Sequence, residues 1–220
     1  MAASEAADVI RSRRAAQLRG IYAIVNEGAR DPVAVARAAL SAGVRVVQYR
    51  AKTGIVAERL RALRRATRES GALLIVDDDL EAAVAFDCDG VHLGPDDRGF
   101  GDVPAVRRAV GDRLIGLSCG TPAEARVAEG SGADYAGVGC VFPTASKADA
   151  GEPIGVAGLR AVASATRLPA IAIGGIGVRN VAEVARSGAA MAAVIAAIAQ
   201  APDPAAVCAE LIRRWGAAGA

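Results

Sequence analysis

The chain has 220 residues, a formal net charge of +2, 53% hydrophobic residues and 3% aromatic residues. This length suits one α/β barrel or two small domains, and the high apolar content excludes a disordered chain. Residues 59–68 are rich in arginine, but their leucines are spaced as one face of a helix and no aromatics are interleaved, so they predict a solvated helix surface and no nucleic-acid partner.

The first 19 residues contain Glu5 and Asp8 and lack an apolar core, which excludes a secretory signal and favours a loosely attached helical extension. The most apolar run, residues 188–199, is too short to span a membrane and fits a buried strand that enters a loop or helix, so we expect no membrane partner. Four widely separated cysteines form no CxxC pair, which predicts reduced thiols and a cytoplasmic protein.

From residue 21 onward a unit repeats, made of a short β-rich run, a turn and an Ala-rich helical segment. Eight strands are predicted at residues 21–25, 44–50, 73–77, 90–94, 113–118, 135–139, 170–175 and 191–195. Helices are predicted between and after them at residues 32–41, 56–70, 80–86, 103–110, 122–130, 156–165, 178–187 and 204–215.

This alternation predicts an α/β fold, a single (β/α)8 TIM barrel over residues 20–220 that follows the helical extension of residues 1–19. A doubly wound open sheet is the alternative, but no GxGxxG turn follows the first strand. In a barrel the active site lies at the C-terminal ends of the strands, so residues at those ends are the candidates for function.

Carboxylates gather at two such ends. Asp77, Asp78 and Asp79 stand where the third strand stops, and Asp96 and Asp97 follow the fourth. One interpretation is that they only cap the helices that follow. The other is that carboxylates crowded in a partly dry site need a cation, for which oxygen-only ligands favour Mg²⁺.

Other polar residues crowd the same rim. Gln48 and Arg50 lie on one face of the second strand, Lys52 follows just beyond, and Ser118 ends the fifth strand. Ser118 has no evident histidine partner, and we interpret the sole histidine, His92, as a packed core residue. The rim is therefore suited to stabilising a departing diphosphate rather than to covalent attack.

The longest apparent loop, residues 140–155, follows the sixth strand and carries Thr144, Ser146 and Lys147. The two hydroxyls and the lysine suit phosphate oxygens, so we expect a lid or binding loop, with an ordinary connection as the alternative. Gly174 and its glycine neighbour follow the seventh strand, where many barrels hold a phosphate on backbone N–H groups. Small phosphorylated molecules are therefore the expected substrates.

A set of short motifs occurs in one order along the chain. They are QYRAK at residues 48–52, DD at 78–79, DGVHLGxxD at 89–97, GxS at 116–118, GADYxGVGxVFPTxSK at 132–147, PIG at 153–155 and AIGGI at 172–176. With these motifs the chain resembles the thiamine phosphate synthase family, which belongs to the same barrel group as the thiazole tautomerases. The resemblance covers residues 21–198.

The resemblance implies a Mg²⁺-dependent transferase that couples hydroxymethylpyrimidine diphosphate with hydroxyethylthiazole phosphate. In the family the diphosphate leaves first, and the thiazole nitrogen captures the pyrimidine carbocation to give thiamine phosphate. The implied metal ligands are Asp78 and Asp97, and the implied catalytic residues are Arg50, Ser118 and Lys147. The implied substrate-binding residues are Gln48, Arg50, Lys52, Asp77, Ser118, Thr144, Ser146, Lys147, Gly174, Val194 and Ile195.

Three residues depart from the family pattern. Asp77 stands where Asn is usual, and its carboxylate either tightens metal binding or, with the metal absent, repels the diphosphate. Pro95 replaces a usual Gln beside Asp97 and removes its donors, and Ala196 replaces a usual Ser in the strand-eight phosphate segment. Altered substrate preference and reduced activity are therefore alternatives to full synthase activity.

Two further functions stay open. A thiazole-tautomerase-like isomerase needs no metal and no diphosphate grip, but that branch uses a histidine soon after the strand-five serine, where Cys119 and Gly120 stand here. The other alternative is a divergent, non-catalytic barrel that binds a phosphorylated ligand. Each of these functions is compatible with a homo-oligomer.

Overall fold

The computed structural model of the chain describes residues 2–28, 30–146 and 151–219. Its strands are β1 Gly20–Asn26, β2 Val46–Arg50, β3 Leu73–Asp77, β4 Gly90–Leu93, β5 Leu114–Cys119, β6 Tyr135–Val138, β7 Ala170–Ile173 and β8 Met191–Val194. The helices of the described residues are α1 Ala2–Ala15, α2 Pro32–Ser41, α3 Ala57–Ser70, α4 Leu80–Ala85, α5 Val103–Val110, α6 Pro122–Ser131, α7 Gly155–Ala163, α8 Val181–Ala185, α9 Ala196–Ala199 and α10 Pro204–Gly219.

The eight strands form one closed parallel barrel in the order β1 to β8, and β1 closes it by pairing with β8. Every neighbouring pair is parallel, as a chain that alternates strand and helix requires. The predicted (β/α)8 barrel is thus confirmed, and the open-sheet alternative is wrong.

Local sequence signals set several element boundaries. Pro32 opens α2 behind Asp31, whose side chain accepts a hydrogen bond from Val33 N at 3.0 Å, and Asp102 caps α5 in the same way. Gly71 and Gly132 adopt left-handed conformations at the C-terminal ends of α3 and α6. These caps explain why the bounds of α2 and α5 were predicted correctly.

Two hydrophobic clusters hold the barrel together. The inner cluster fills the barrel with inward side chains such as Tyr22, Ile75, Leu114 and Met191. The outer cluster lies between the strands and the helices. It includes strand residues whose side chains point outward, such as Val76, which is next to the inward Ile75 on β3. Successive residues of a strand alternate between the two clusters. The last inward side chain of each strand therefore lies at the C-terminal rim.

The expectation that the N-terminal helix is loosely attached is wrong. Arg14 of α1 lies 3.3 Å from Asp89 Oδ1 and donates to the Asp112 carbonyl at 2.8 Å, both at the end of the barrel opposite the C-terminal rim. Arg11 lies 3.3 Å from Asp134 Oδ1. Leu18, just after α1, is 4% exposed and packs in the inner cluster.

The bounds of two helices near the end of the chain were not predicted correctly. The helix predicted at residues 178–187 is limited to Val181–Ala185, because the residues before it form a loop held by Asn180. For the short helix α9, the prediction left a loop or a helix open after the eighth strand, because the Ala-rich sequence continues the apolar run of β8 without a break. Among the described residues, no helix is both long and apolar enough to cross a membrane.

Candidate active site

A cleft of about 930 Å³ lies at the C-terminal ends of the barrel strands. The predicted site residues that line it are Gln48, Arg50, Lys52, Asp77, Asp78, Asp97, Ser118, Thr144, Ser146, Gly174 and Ile195. The side chain of Val194 instead packs in the outer cluster, so Val194 has only its backbone to offer a ligand. Lys147 lies outside the described residues. The structure therefore brings together residues that are up to 147 positions apart in sequence, from Gln48 to Ile195.

Two cations and a carboxylate meet where β2 and β3 end. Asp77 Oδ2 lies 3.3 Å from Arg50 Nε and 3.3 Å from Lys52 Nζ. Lys52 also donates to the Asp78 carboxylate, and its Nζ lies 4.0 Å from Asp97 Oδ1. Burial alone would lower the pKa of Lys52, but the hydrogen bond to Asp78 and the three negative charges outweigh burial and raise it. Lys52 therefore stays charged.

Asp78 turns the chain out of β3 in a left-handed conformation, with φ +67°. Few residues other than glycine adopt this conformation, although a short polar side chain tolerates it. The backbone holds it there, because Asp78 N–H donates to the His92 carbonyl at 2.9 Å. The Asp78 carboxylate thereby lies beside that of Asp97, which follows the next strand.

The two carboxylates differ strongly in their acidity. Burial raises the pKa of Asp78 to about 7, and the neighbouring Asp97 carboxylate acts in the same direction, whereas Lys52 opposes the shift. Burial alone would raise the pKa of Asp97 as well, but Asp78 and the Gly94 N–H, which donates to Asp97 Oδ2 at 2.6 Å, lower it overall. Negative charge is thus concentrated where little solvent screens it, which favours a bound cation.

The residues present fit Mg²⁺. Asp78 Oδ1 is buried and has no hydrogen-bond partner among the described residues, as expected of an oxygen reserved for a ligand. Within the same residues, no group of three or more His, Cys, Asp or Glu side chains is arranged to hold a metal ion. Two carboxylates are nevertheless enough for Mg²⁺, which is commonly bound by one or two carboxylates together with substrate phosphates and water.

The helix-cap interpretation of the aspartates is correct only for Asp79. Its side chain accepts a hydrogen bond from Ala82 N at 2.7 Å and caps α4. Asp97 begins no helix, since α5 is capped by Asp102. Asp77 and Asp78 line the cleft instead, where Asp77 pairs with Arg50 and Asp78 pairs with Lys52.

The floor of the cleft is made of polar side chains from several strands. Gln48 donates to the Tyr22 hydroxyl at 3.3 Å, and His92 Nε2 lies 3.1 Å from Ser118 Oγ. The His92 ring stacks on Tyr135, with centroids 5.6 Å apart. Burial raises the pKa values of both Tyr22 and Tyr135, so both hydroxyls stay protonated. Ser118 and Gln48 are therefore fixed in orientation at the bottom of the site.

The expectation that Ser118 has no histidine partner is wrong, because His92 Nε2 lies 3.1 Å from Ser118 Oγ. Sequence reasoning also missed His92 as a cleft residue, although it is packed as expected. A usable signal was present, because His92 lies at an inward position of β4, Gly116 faces it on the neighbouring strand β5, and Gly137 lies one strand farther on, in β6. A Cβ atom at Gly137 would lie 2.8 Å from His92 Cε1, and one at Gly116 would overlap the Tyr135 ring. The two glycines therefore make room for the His92 and Tyr135 rings.

The loop after β7 is built around glycine and one asparagine. Gly174 and Gly175 have φ values of +101° and +64°, and a Cβ at Gly175 would lie 2.6 Å from the Pro143 carbonyl oxygen. Asn180 accepts a hydrogen bond from Gly177 N at 2.8 Å and donates to the Gly175 carbonyl at 3.0 Å. Asn180 was not predicted as a site residue, yet it lines the cleft and fixes this loop.

The loop after β6 lies against the same side of the cleft. Val141 N–H donates to the Ile173 carbonyl at 2.8 Å, and Phe142 N–H donates to the Gly174 carbonyl at 3.1 Å. Thr144 Oγ1 accepts a hydrogen bond from Ser146 N at 3.1 Å, which places both hydroxyl residues in one turn at the cleft. The hydroxyl residues Thr144 and Ser146 and the glycines after β7 thus line the same cleft as Arg50 and Lys52.

Comparison with known proteins gives one consistent family. Residues 21–198 match the sequence model of the family described as thiamine monophosphate synthase. A thiamine-phosphate synthase of Anaeromyxobacter dehalogenans is 45% identical over 214 residues, which cover 96% of this chain and 93% of that protein. One from Moorella thermoacetica is 43% identical over 188 residues, which cover 84% of this chain and 88% of that protein.

Solved structures agree with these sequence relatives. The structure of thiamine phosphate pyrophosphorylase from Pyrococcus furiosus superposes with a TM-score of 0.83 at 35% identity, covering 92% of this chain and 98% of that one. 3-Hexulose-6-phosphate synthase from Salmonella typhimurium superposes with a TM-score of 0.69 at 16% identity, covering 90% of this chain and 99% of that one, which shows a shared barrel fold only.

Proposed function

The chain belongs to the thiamine monophosphate synthase family, and we propose that its cleft couples hydroxymethylpyrimidine diphosphate with hydroxyethylthiazole phosphate. The enzyme is a transferase that forms thiamine phosphate, as its named relatives are. The observation that carries the proposal is that two cations, Arg50 and Lys52, line the same rim of the barrel as the Asp78 and Asp97 carboxylates, with Lys52 close to both carboxylates. Such an arrangement suits a diphosphate and its metal ion.

Arg50 and Lys52 bind the leaving diphosphate in this proposal. Arg50 is the more enclosed of the two, with 20% of its side chain exposed against 44% for Lys52. The guanidinium of Arg50 can donate two parallel hydrogen bonds to phosphate oxygens, whereas Lys52 acts as a mobile point charge. Lys147 supplies a third cation from the loop after β6, as the family resemblance implies.

Asp78 and Asp97 hold Mg²⁺ in this proposal. When bound, the ion neutralises the charge that develops on the departing diphosphate. The buried Asp78 Oδ1, which has no hydrogen-bond partner among the described residues, and the adjacent Asp97 carboxylate support this assignment. Lys52, which lies close to both, orients the two carboxylates and balances their charge.

Gln48 and Ser118 contact the pyrimidine in this proposal. Both are oriented from below, Gln48 by Tyr22 and Ser118 by His92. We assign Ser118 a binding and orienting role rather than that of a nucleophile, because capture of the pyrimidine by the thiazole nitrogen requires no covalent bond to the enzyme. A pyrimidine carbocation formed after diphosphate departure needs such fixed dipoles and a nearby thiazole nitrogen.

The thiazole phosphate lies at the opposite side of the cleft in this proposal. Gly174, Thr144 and Ser146 line this side, together with the start of α9 at Ile195. The N–H groups of the first residues of a helix have no acceptor within it, so this backbone can donate to a phosphate even though Ala196 lacks a hydroxyl. The two phosphate ends are thereby separated, and the reacting centres meet between them.

The test is a coupled synthesis assay with purified protein. We expect thiamine phosphate from both substrates with Mg²⁺, little product without Mg²⁺, and a loss of about a hundredfold or more for Asp78→Ala. Absence of product from the folded wild-type protein would refute the synthase assignment. Turnover of a thiazole carboxylate phosphate without metal would instead indicate the isomerase alternative. The cytoplasmic location and a homo-oligomeric state stay predictions from the sequence.

A further inference from the structure

The Asp77 carboxylate is already paired with the two cations to which the proposed function assigns diphosphate binding. Its side chain is 8% exposed, and Oδ2 lies 3.3 Å from both Arg50 Nε and Lys52 Nζ. A carboxylate so placed makes charge-assisted contacts to the same donors that would face phosphate oxygens. In the substrate-free site, the positive charges of Arg50 and Lys52 are therefore already compensated by the Asp77 carboxylate.

Asp77 is not part of a three-carboxylate metal site among the described residues, since it does not join Asp78 and Asp97 in a group of side chains arranged to hold a metal ion. Its Oδ2 atom faces the Arg50 guanidinium and the Lys52 amine instead. Tighter metal binding, one of the two effects expected of this added carboxylate, thus has no geometric support.

We propose that Asp77 is an internal competitor of diphosphate: it holds Arg50 and Lys52 while the site is empty, yields them to the substrate, and takes them back when diphosphate leaves. This inference rests on the proposed function, because it assumes that these cations bind diphosphate. It assigns Asp77 a role in limiting product affinity, since each diphosphate molecule must displace an existing ion pair before it binds.

The decisive variant is Asp77→Asn, which keeps the shape of the side chain and removes its charge. Calorimetric titration with inorganic diphosphate, with and without Mg²⁺, should give a Kd about tenfold lower for Asp77→Asn than for the wild type. Product inhibition by diphosphate in the synthase assay should strengthen in parallel. The matched control is Asp79→Asn two residues away, which keeps the α4 cap and should leave the Kd unchanged.

Equal or weaker diphosphate binding by Asp77→Asn, with the fold verified by circular dichroism, would overturn the inference. It would also be overturned by an increase in the Mg²⁺ concentration needed for half-maximal diphosphate binding, because that change would identify Asp77 as a metal ligand. Failure of the proposed function has a different signature, namely a wild-type protein that forms no thiamine phosphate. The binding comparison needs no turnover, so it decides the role of Asp77 in either case.

Discussion

At the scale of single residues, three consecutive aspartates have three different roles in the structure. Asp77 pairs with cations, Asp78 adopts a left-handed conformation beside Asp97, and Asp79 caps α4. The sequence indicates carboxylates at this rim but not this division, because the conformation of Asp78 depends on a hydrogen bond to the His92 carbonyl, a residue of the next strand. Such a partner is known only after the strands are paired.

The fit between Gly137 and His92 gives a prediction at this scale. Gly137→Ala would place a Cβ atom 2.8 Å from His92 Cε1 and 3.3 Å from Nε2, so the ring must shift away from Ser118. We expect a loss of synthase activity of about tenfold or more and a loss of stability of about 1–3 kcal/mol, the usual range for overpacking. Steady-state kinetics and urea denaturation measure both quantities.

The control for this substitution is Gly130→Ala in α6. A Cβ atom at Gly130 would have no atom from outside its own stretch of helix within 4 Å, so the added methyl group meets open space. The substitution should leave activity unchanged and stabilise the protein by about 0.5–1 kcal/mol through helix propensity. Full activity in Gly137→Ala would show that the position of His92 has no bearing on catalysis.

At the scale of elements, the helices with side-chain caps were predicted best. α2 and α5 begin behind Asp31 and Asp102 at the expected residues. α8 was predicted too long, because Asn180 stands at its N-cap position but makes no side-chain hydrogen bond to the helix. Its side-chain amide hydrogen-bonds to Gly175 and Gly177 instead, so it holds the loop before α8 and does not cap the helix.

This exchange predicts the effect of Asn180→Ser. Serine can cap α8 but is too short to bridge Gly175 and Gly177, so the helix is kept and the loop is released. We expect the KM for hydroxyethylthiazole phosphate to rise about tenfold, with little change in the KM for the pyrimidine diphosphate. Steady-state kinetics with each substrate varied in turn separates the two.

A variant that retains one of the two loop hydrogen bonds provides the comparison. Asn180→Asp keeps an acceptor for Gly177 N–H but loses the donor to the Gly175 carbonyl, so its KM should lie between those of the wild type and Asn180→Ser. If both variants raised the two KM values equally, Asn180 would support the whole barrel rather than this loop.

At the scale of the whole molecule, the sequence predicts the barrel but not how α1 is attached to the end of the barrel opposite the cleft. Strand and helix alternation sufficed for the fold class. The attachment of α1 was missed, because its helix has no strong apolar face and its partners, Asp89, Asp112 and Asp134, come together only when the strands are assembled. Ion pairs between distant segments leave no periodic pattern in the sequence.

Asp89 makes the central contacts of this attachment. Its side chain is 10% exposed, accepts a hydrogen bond from Leu74 N at 2.9 Å, and lies 2.6 Å from Arg64 Nη1 and 3.3 Å from Arg14 Nε. Asp134 repeats the arrangement, with Ile115 N, Arg107 and Arg11 as its partners. Each aspartate thus ties a strand to a barrel helix and to α1.

The last prediction follows from this arrangement. Asp89→Asn removes the negative charge between two largely enclosed guanidinium groups, and it should destabilise the protein by about 3–5 kcal/mol, because charges left without a partner in a poorly solvated site are costly. Asp87→Asn is the matched control: Asp87 also pairs with arginines, but its side chain is 56% exposed, so the loss should stay below about 1 kcal/mol. Urea denaturation of the two variants measures the difference. Equal losses would mean that solvent screens both sites alike. Under native conditions both variants should keep the wild-type kcat, since α1 and Asp89 lie at the end of the barrel opposite the cleft.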